Sequence, residues 1–283
     1  MRYTVYDVFT ETAFGGNPLA VVFDAQPLST ERMQLIAREF NFSETTFVLP
    51  PDDPAHTARV RIFTPGLELA FAGHPTIGTG VALAELQGLG PDMVLELGVG
   101  PIAVTVSGGK ARFVTNVPLT VAEAPTTAAL AACLSLPMAA LHTDRHAPVL
   151  AGLGTDFVLV EIENTDWLSQ ASPNVQAFRD TAGAQADRLA IFMYCRDSQQ
   201  IEARMFQPLG GIMEDPATGS AAAALAAYLG QLDGTPQSFE ISQGVAMGRP
   251  SKIHAEVTVE HGKATAVAIS GAAVKVMEGQ ITL

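Results

Sequence analysis

Residues 73–79 read Gly-His-Pro-Thr-Ile-Gly-Thr, and residues 214–220 read Glu-Asp-Pro-Ala-Thr-Gly-Ser. Both follow a polar-Pro-x-x-Gly-hydroxyl pattern. His74 and Asp215 stand 141 positions apart, almost half of the 283 residues. A strand signal precedes each loop: Ala58-Arg59-Val60-Arg61-Ile62-Phe63-Thr64-Pro65 and Ile201-Glu202-Ala203-Arg204-Met205-Phe206-Gln207-Pro208. An apolar, alanine-containing run follows each. Strand, loop and helix signals recurring in one order predict two homologous halves. The join is placed in the Pro-, Ala- and Thr-rich stretch 117–127. The N-terminal half is then 1–117, with the last C-terminal residues as candidates to complete it, and the C-terminal half is 118–283.

The runs after the two loops carry no charge over 76–84 and 217–232. A surface helix keeps one polar face, so a helix apolar all round is expected to be enclosed. Small side chains at 221–224, 226 and 227 let strands pack closely around the second run. Short alternating or β-branched segments surround both runs, among them 3–9, 20–23, 46–49, 157–162, 189–194 and 264–269. The fold class expected is α/β (α+β), with two pseudo-symmetric domains, each a rolled sheet or barrel around a buried central helix. A surface helix is expected over 29–40, with Ser29 or Thr30 as cap and Met33, Ile36, Ala37 and Phe40 on its inner face.

Charged residues make up 16% of the chain against about 25% in typical domains, which marks an apolar, core-forming composition. The formal net charge is −13, the wrong sign for a phosphate backbone or an anionic lipid surface, so neither nucleic acid nor membrane is expected as a partner. The longest uncharged stretch near a helix signal, 216–232, falls short of the ~20 apolar residues of a membrane span. Cys133 and Cys195 are far apart and match no metal-ligand spacing. The N-terminal residues carry no apolar signal core. A cytoplasmic protein is expected.

Pro75 and Pro216 each suit the first turn of a helix, where the missing N–H costs nothing. Both loops are then placed at helix N-termini, whose free N–H groups and positive dipole end attract a carboxylate despite the net charge. Asp215-Pro216 also reads as an ordinary N-cap followed by N1. Glu44 lies between a helix end and an apolar strand, flanked by Phe42, Phe47 and Val48. Desolvation there would raise its pKa and suit it to proton shuttling. A solvated turn glutamate is the alternative. Asn17, in Gly15-Gly16-Asn17-Pro18, is a candidate ligand donor or a plain turn residue. The Gln243–Gly244 and Gly248–Ser251 loop reads as structural. His142 and His146, four apart, lack the glutamate of a zinc-protease motif and are read as a solvated loop. No glycine-rich nucleotide loop is present in the sequence.

Several segments resemble the phenazine-biosynthesis isomerase family (PhzF-like), in that family's order and spacing over nearly the whole chain. They are Phe14-Gly15-Gly16-Asn17-Pro18-Leu19-Ala20-Val21-Val22, Phe42-Ser43-Glu44-Thr45-Thr46-Phe47, Phe71-Ala72-Gly73-His74-Pro75-Thr76-Ile77-Gly78, Glu214-Asp215-Pro216-Ala217-Thr218-Gly219-Ser220-Ala221 and Gly244-Val245-Ala246-Met247-Gly248-Arg249-Pro250-Ser251. The resemblance implies a diaminopimelate-epimerase-like fold with a site between two domains. It implies a homodimer that uses no metal or cofactor. It implies an isomerase that moves a proton along the framework of a small carboxylate-bearing metabolite, as with a dihydro-hydroxyanthranilate in the phenazine pathway. By the same carry-over Glu44 is the acid/base and His74 its partner. Asp215 and Ser220 hold and polarise the substrate, and Gly73 and Gly219 turn backbone amides toward its carboxylate.

Two other functions fit the same fold. One is an epimerase or racemase. The thiol-pair version needs a cysteine in each loop, and neither 73–80 nor 214–221 has one, which leaves a thiol-independent version. The other is a non-catalytic binding protein for small carboxylates.

Overall fold

The computed structural model describes residues 1–183 and 189–282. The chain divides into two compact units, Met1–Val114 with the segment from Ala268 onward, and Thr115–Val267.

In the first unit the elements are β1 (Arg2–Val8), β2 (Asn17–Val22), α1 (Thr30–Phe40), β3 (Glu44–Leu49), β4 (Ala58–Phe63), β5 (Glu68–Leu69), α2 (Gly73–Gln87), β6 (Asp92–Leu97), β7 (Gly100–Ser107) and β8 (Lys110–Thr115). Strand β2 runs antiparallel to β1 and parallel to β3. Strand β4 runs antiparallel to β3 and β5 and parallel to β6, and β6, β7 and β8 form a meander.

The second unit contains β9 (Thr120–Glu123), α3 (Thr127–Cys133), β10 (Val149–Gly152), β11 (Asp156–Glu161), α4 (Thr165–Gln170), α5 (Val175–Ala182), β12 (Ile191–Asp197), β13 (Gln200–Gln207), β14 (Ile212–Asp215), α6 (Gly219–Asp233), β15 (Gln237–Gln243) and β16 (Ser251–Glu260). The pairing order recurs. Strand β11 is antiparallel to β10 and parallel to β12, and β13 is antiparallel to β12 and β14 and parallel to β15. The last strand is β17 (Lys263–Gln280), whose residues from Ala273 pair antiparallel with β1.

Each sheet curls around its inner helix. In the first unit α2 packs on β1, β2, β3 and β7, and every residue from Gly73 to Leu83 is buried. In the second, α6 packs on β10, β11, β15 and β16 with its alanines inward. A methyl group on Gly78 would come within 2.6 Å of Leu19 and 2.7 Å of Val8. One on Gly230 would come within 2.5 Å of Val257. The helices touch the strands at these glycines because they lack a Cβ.

An arginine–glutamate clamp also repeats. Arg61 of β4 donates from Nε and Nη2 to the two oxygens of Glu68 at 2.7 and 2.6 Å. Arg204 of β13 donates to both oxygens of Glu214, each at 2.8 Å. Each guanidinium also lies over the phenylalanine two residues on, Phe63 at 5.2 Å and Phe206 at 4.9 Å. Two-pronged pairing of this kind fixes strand position as well as charge.

The outer helices cover the other sheet faces. Helix α1 sets Met33, Ile36 and Ala37 against Val22, Phe47 and Phe63, with Ser29 as its N-cap. Helices α3, α4 and α5 contribute Leu130, Leu168 and Phe178 to a core with Val158, Ile191 and Phe206.

The motif register fails inside the helices. Both α2 and α6 are fifteen residues long and end on a left-handed glycine, Gly88 or Gly234. Gly219 lies 146 positions after Gly73, five more than the motif spacing. Pro75 is inside the first turn of α2, but Pro216 precedes α6 and its Thr218 N-cap. Asp215 is therefore not an N-cap. The residue before a proline is pushed to extended backbone, and Asp215 ends β14 accordingly.

Candidate active site

The first unit brings Glu44, His74 and Asn17 together around the start of β2. Glu44 opens β3 opposite Leu19 of β2. Side chains alternate along a strand. Thr46, two residues on, takes a hydrogen bond from Thr79 of α2 at 3.0 Å, so this face looks at the inner helix. Phe47 points the other way, into the core under α1. The expected flanking of Glu44 by Phe47 is thus a sequence neighbourhood and not a spatial one. His74, the second residue of α2, is 4% exposed. Its Nδ1 lies 3.4 Å from Glu44 Oε2, and its ring hydrogen-bonds the Pro18 carbonyl.

Burial pushes the His74 pKa down to about 3, against the opposing pull of the Pro18 hydrogen bond, so the imidazole is neutral at physiological pH. A neutral imidazole is both donor and acceptor. Its Nε2 has no hydrogen-bond partner among the described residues. At 3.4 Å the carboxylate contact exceeds the usual ~2.9 Å of an N–H···O bond. Asn17, the first residue of β2, is fully buried beside Pro18.

The second unit builds a different loop. Asp215 is 5% exposed and accepts from the Thr218 hydroxyl at 2.6 Å. Gln243, at the end of β15, is fully buried. Its Nε2 donates to the Asp215 carbonyl at 2.8 Å and to Thr218 Oγ1 at 3.0 Å, and its Oε1 accepts the Thr218 N–H at 3.0 Å. Ser251 Oγ donates to the Pro216 carbonyl at 2.8 Å. The neighbouring acid, Glu214, is taken by Arg204, whose Nη1 also donates to the carbonyls of Leu168 and Ala171. Gly219 and Ser220 are the first two residues of α6.

Gln243, Thr218, Arg204 and Ser251 carry this loop, and sequence reasoning assigned them no part in it. Their partners lie 3 to 36 residues away, and only the strand–Arg–Phe repeat hinted at one of them.

The inner helices share one property that the outer ones lack. Helices α1, α3, α4 and α5 are each capped by a side chain, from Ser29, Thr126, Asn164 and Asn174. Helices α2 and α6 begin after Ala72 and Thr218 with no side-chain cap bond. Their first-turn N–H groups therefore keep the capacity to receive an anion.

His146, read as part of a solvated loop, is buried instead. It accepts from or donates to Tyr194 Oη at 2.6 Å and stands edge-on to Tyr228 of α6. The ring's apolar faces fill the core while both nitrogens find partners, the second being the Ala147 carbonyl.

A family model described as phenazine biosynthesis-like protein matches residues 6–279. The chain belongs to the phenazine biosynthesis-like (PhzF) family. An uncharacterized isomerase of Mesorhizobium japonicum is 40% identical over 99% of this chain and 98% of its own length. A trans-2,3-dihydro-3-hydroxyanthranilate isomerase of Pseudomonas aeruginosa is 36% identical over 100% and 99%. A solved PhzF-family structure from Bacillus anthracis matches with TM-score 0.89 at 26% identity, covering 100% of this chain and 99% of that one. A hydroxyproline epimerase from Agrobacterium vitis matches with TM-score 0.67 at 14% identity over 99% and 91%, which shows an epimerase-like fold. The chain is a PhzF-family isomerase with that fold. No helix among the described residues is long and apolar enough to cross a membrane.

Proposed function

We propose that this isomerase moves a proton within a small carboxylate-bearing metabolite, with Glu44 as the acid/base and no metal or cofactor. The observation that carries the reading is the Glu44 carboxylate on the helix-facing side of β3, 3.4 Å from a buried, neutral imidazole. A neutral His74 does not quench the carboxylate as an ion-pair partner would. Glu44 takes a proton from an activated C–H, and the electron pair of that bond passes into the substrate's conjugated system. The protonated Glu44 then returns the proton at another carbon, so that no atom is gained or lost. His74 and Asp215 orient or polarise the hydroxyl or amine beside the reacting carbon. The uncapped first turns, beginning at Gly73 and at Gly219 and Ser220, receive the carboxylate, and Asn17 supports the His74 side. The protein is proposed to act as a cytoplasmic homodimer, and its two free cysteines suit a reducing compartment.

The substrate named for the Pseudomonas relatives, trans-2,3-dihydro-3-hydroxyanthranilate, serves as the probe. In deuterium oxide the unsubstituted enzyme should isomerise it and place deuterium on a ring carbon. Glu44→Gln should lower turnover by about 10²–10⁴-fold with little change in binding or unfolding temperature. Turnover retained in that variant refutes the role of Glu44. Sedimentation of the purified chain as a monomer refutes the dimer.

A further inference from the structure

The orientation of the buried Gln243 amide is fixed by its neighbours. A backbone N–H only donates and a backbone C=O only accepts. Oε1 faces the Thr218 N–H at 3.0 Å and Nε2 faces the Asp215 carbonyl at 2.8 Å, so turning the amide over would oppose donor to donor and acceptor to acceptor. Nε2 lies 3.0 Å from Thr218 Oγ1 as well, and must donate to it. With a lone pair engaged there, the Thr218 hydroxyl sends its own hydrogen to Asp215 Oδ2 at 2.6 Å. Hydrogens in this chain run one way, from amide to hydroxyl to carboxylate.

We infer that Thr218 and Gln243 are positioning residues that hold Asp215 Oδ2 as a permanent hydrogen-bond acceptor and so fix how the carboxylate is turned toward the substrate. Thr218 occupies the N-cap of α6, where a threonine hydroxyl ordinarily accepts from a first-turn N–H. It makes no such bond and is spent on Asp215. Of the adjacent acids only Asp215 is served in this way, because both Glu214 oxygens are held by Arg204. Each link polarises the next, so the hydroxyl is a better donor to the carboxylate than an isolated one. The substrate-facing part of this inference rests on the role given to Asp215 above, whereas the hydrogen-bond chain itself does not.

The test follows the Asp215 carboxyl carbon by NMR during an acid titration of the full chain labelled with 13C-aspartate, with Asp215→Asn used for assignment and no substrate present. Thr218→Val, which keeps the shape and deletes the hydroxyl, should move the Asp215 midpoint up by about one pH unit, since a donor to the charged form is lost. Thr218→Ser should leave it in place. Gln243→Met, which keeps the hydroxyl but removes its polarising donor, should move it up by less. An unmoved midpoint in Thr218→Val, or an equal move in Thr218→Ser, overturns the inference. If Thr218→Val does not fold, an unmoved midpoint in Gln243→Met overturns it instead. Full turnover of the probe substrate by Asp215→Asn would remove the substrate role while leaving the hydrogen-bond chain to be decided by the titration.

Discussion

The two units repeat their strand order, an arginine–glutamate clamp, a phenylalanine under each guanidinium and a fifteen-residue inner helix, yet they differ where those helices begin. In the first unit a histidine rides on the second residue of α2 and meets a glutamate from the start of β3. In the second, the corresponding strand β12 opens on Ile191, the helix carries no ionisable group in its first turn, and the acid ends β14, its carboxylate accepting from Thr218 and its carbonyl from Gln243. Duplicated packing constrains core faces, which accept only apolar residues of fitting size. It places no such demand on the helix mouths, so the two copies diverged there. A glutamate beside a buried imidazole stands in one copy and a carboxylate braced by Thr218 in the other.

If the acid sensitivity of the fold is placed in the first unit, His74 should dominate it. Its folded pKa is about 3 against 6.5 for the ordinary side chain. Between these values the unfolded chain binds a proton that the folded one does not, so stability falls as the pH drops from 6.5 toward 3 and this contribution ceases below 3. The slope from this residue is about 1.4 kcal/mol per pH unit. His74→Gln can still donate to the Pro18 carbonyl but does not titrate, and should lose that slope in urea unfolding at pH 6.5, 5.5 and 4.5. An unchanged slope places the acid sensitivity elsewhere.

The second contrast lies in how the inner helices reach their strands. Gly78 faces the fully buried Leu19 and Val8, so Gly78→Ala sets a methyl group against two packed side chains. Despite the better helix propensity of alanine, it should destabilise the protein by about 1–3 kcal/mol. Ala224 holds the same place in α6, counted from the helix start, and already carries that methyl group, so Ala224→Gly should create a small void and a looser helix without any clash. Equal unfolding midpoints for the two variants would show that the two helices are packed alike.

The fold was legible from two patterns that survive without three-dimensional knowledge. A helix with no polar face announces enclosure, and a strand–loop–helix order met twice announces duplication. Helix α1 was equally readable, because Ser29 and the spacing of Met33, Ile36 and Ala37 encode both its start and its inner face. The loops were less legible. Two motifs that align in sequence begin their helices five residues apart, because a proline is tolerated either inside a first turn or before it. His146 looked solvated, since nothing nearby in sequence names Tyr194 as its partner 48 residues away. The brace on Asp215 was hidden for the same reason. A buried glutamine 28 residues downstream has no local signature, and its meaning comes from the groups the sheet sets beside it.

The smallest expected effect bears on the uncapped helix mouths. Ala72 already has the extended backbone of an N-cap, at φ −151° and ψ 141°; Pro75 at the third helical position has no N–H, so a side-chain oxygen at residue 72 would accept from the His74 N–H. Ala72→Ser supplies one without a change of fold and should raise stability by about 0.5–1 kcal/mol, as the loss of the Ser29 cap from α1 should lower it. If the first-turn N–H groups of α2 receive the substrate carboxylate, the serine oxygen competes with it for them, and KM should rise severalfold while kcat changes little. The same replacement on an outer helix can alter stability only. A variant that gains stability with an unchanged KM would show that α2 lacks a side-chain cap for reasons of packing.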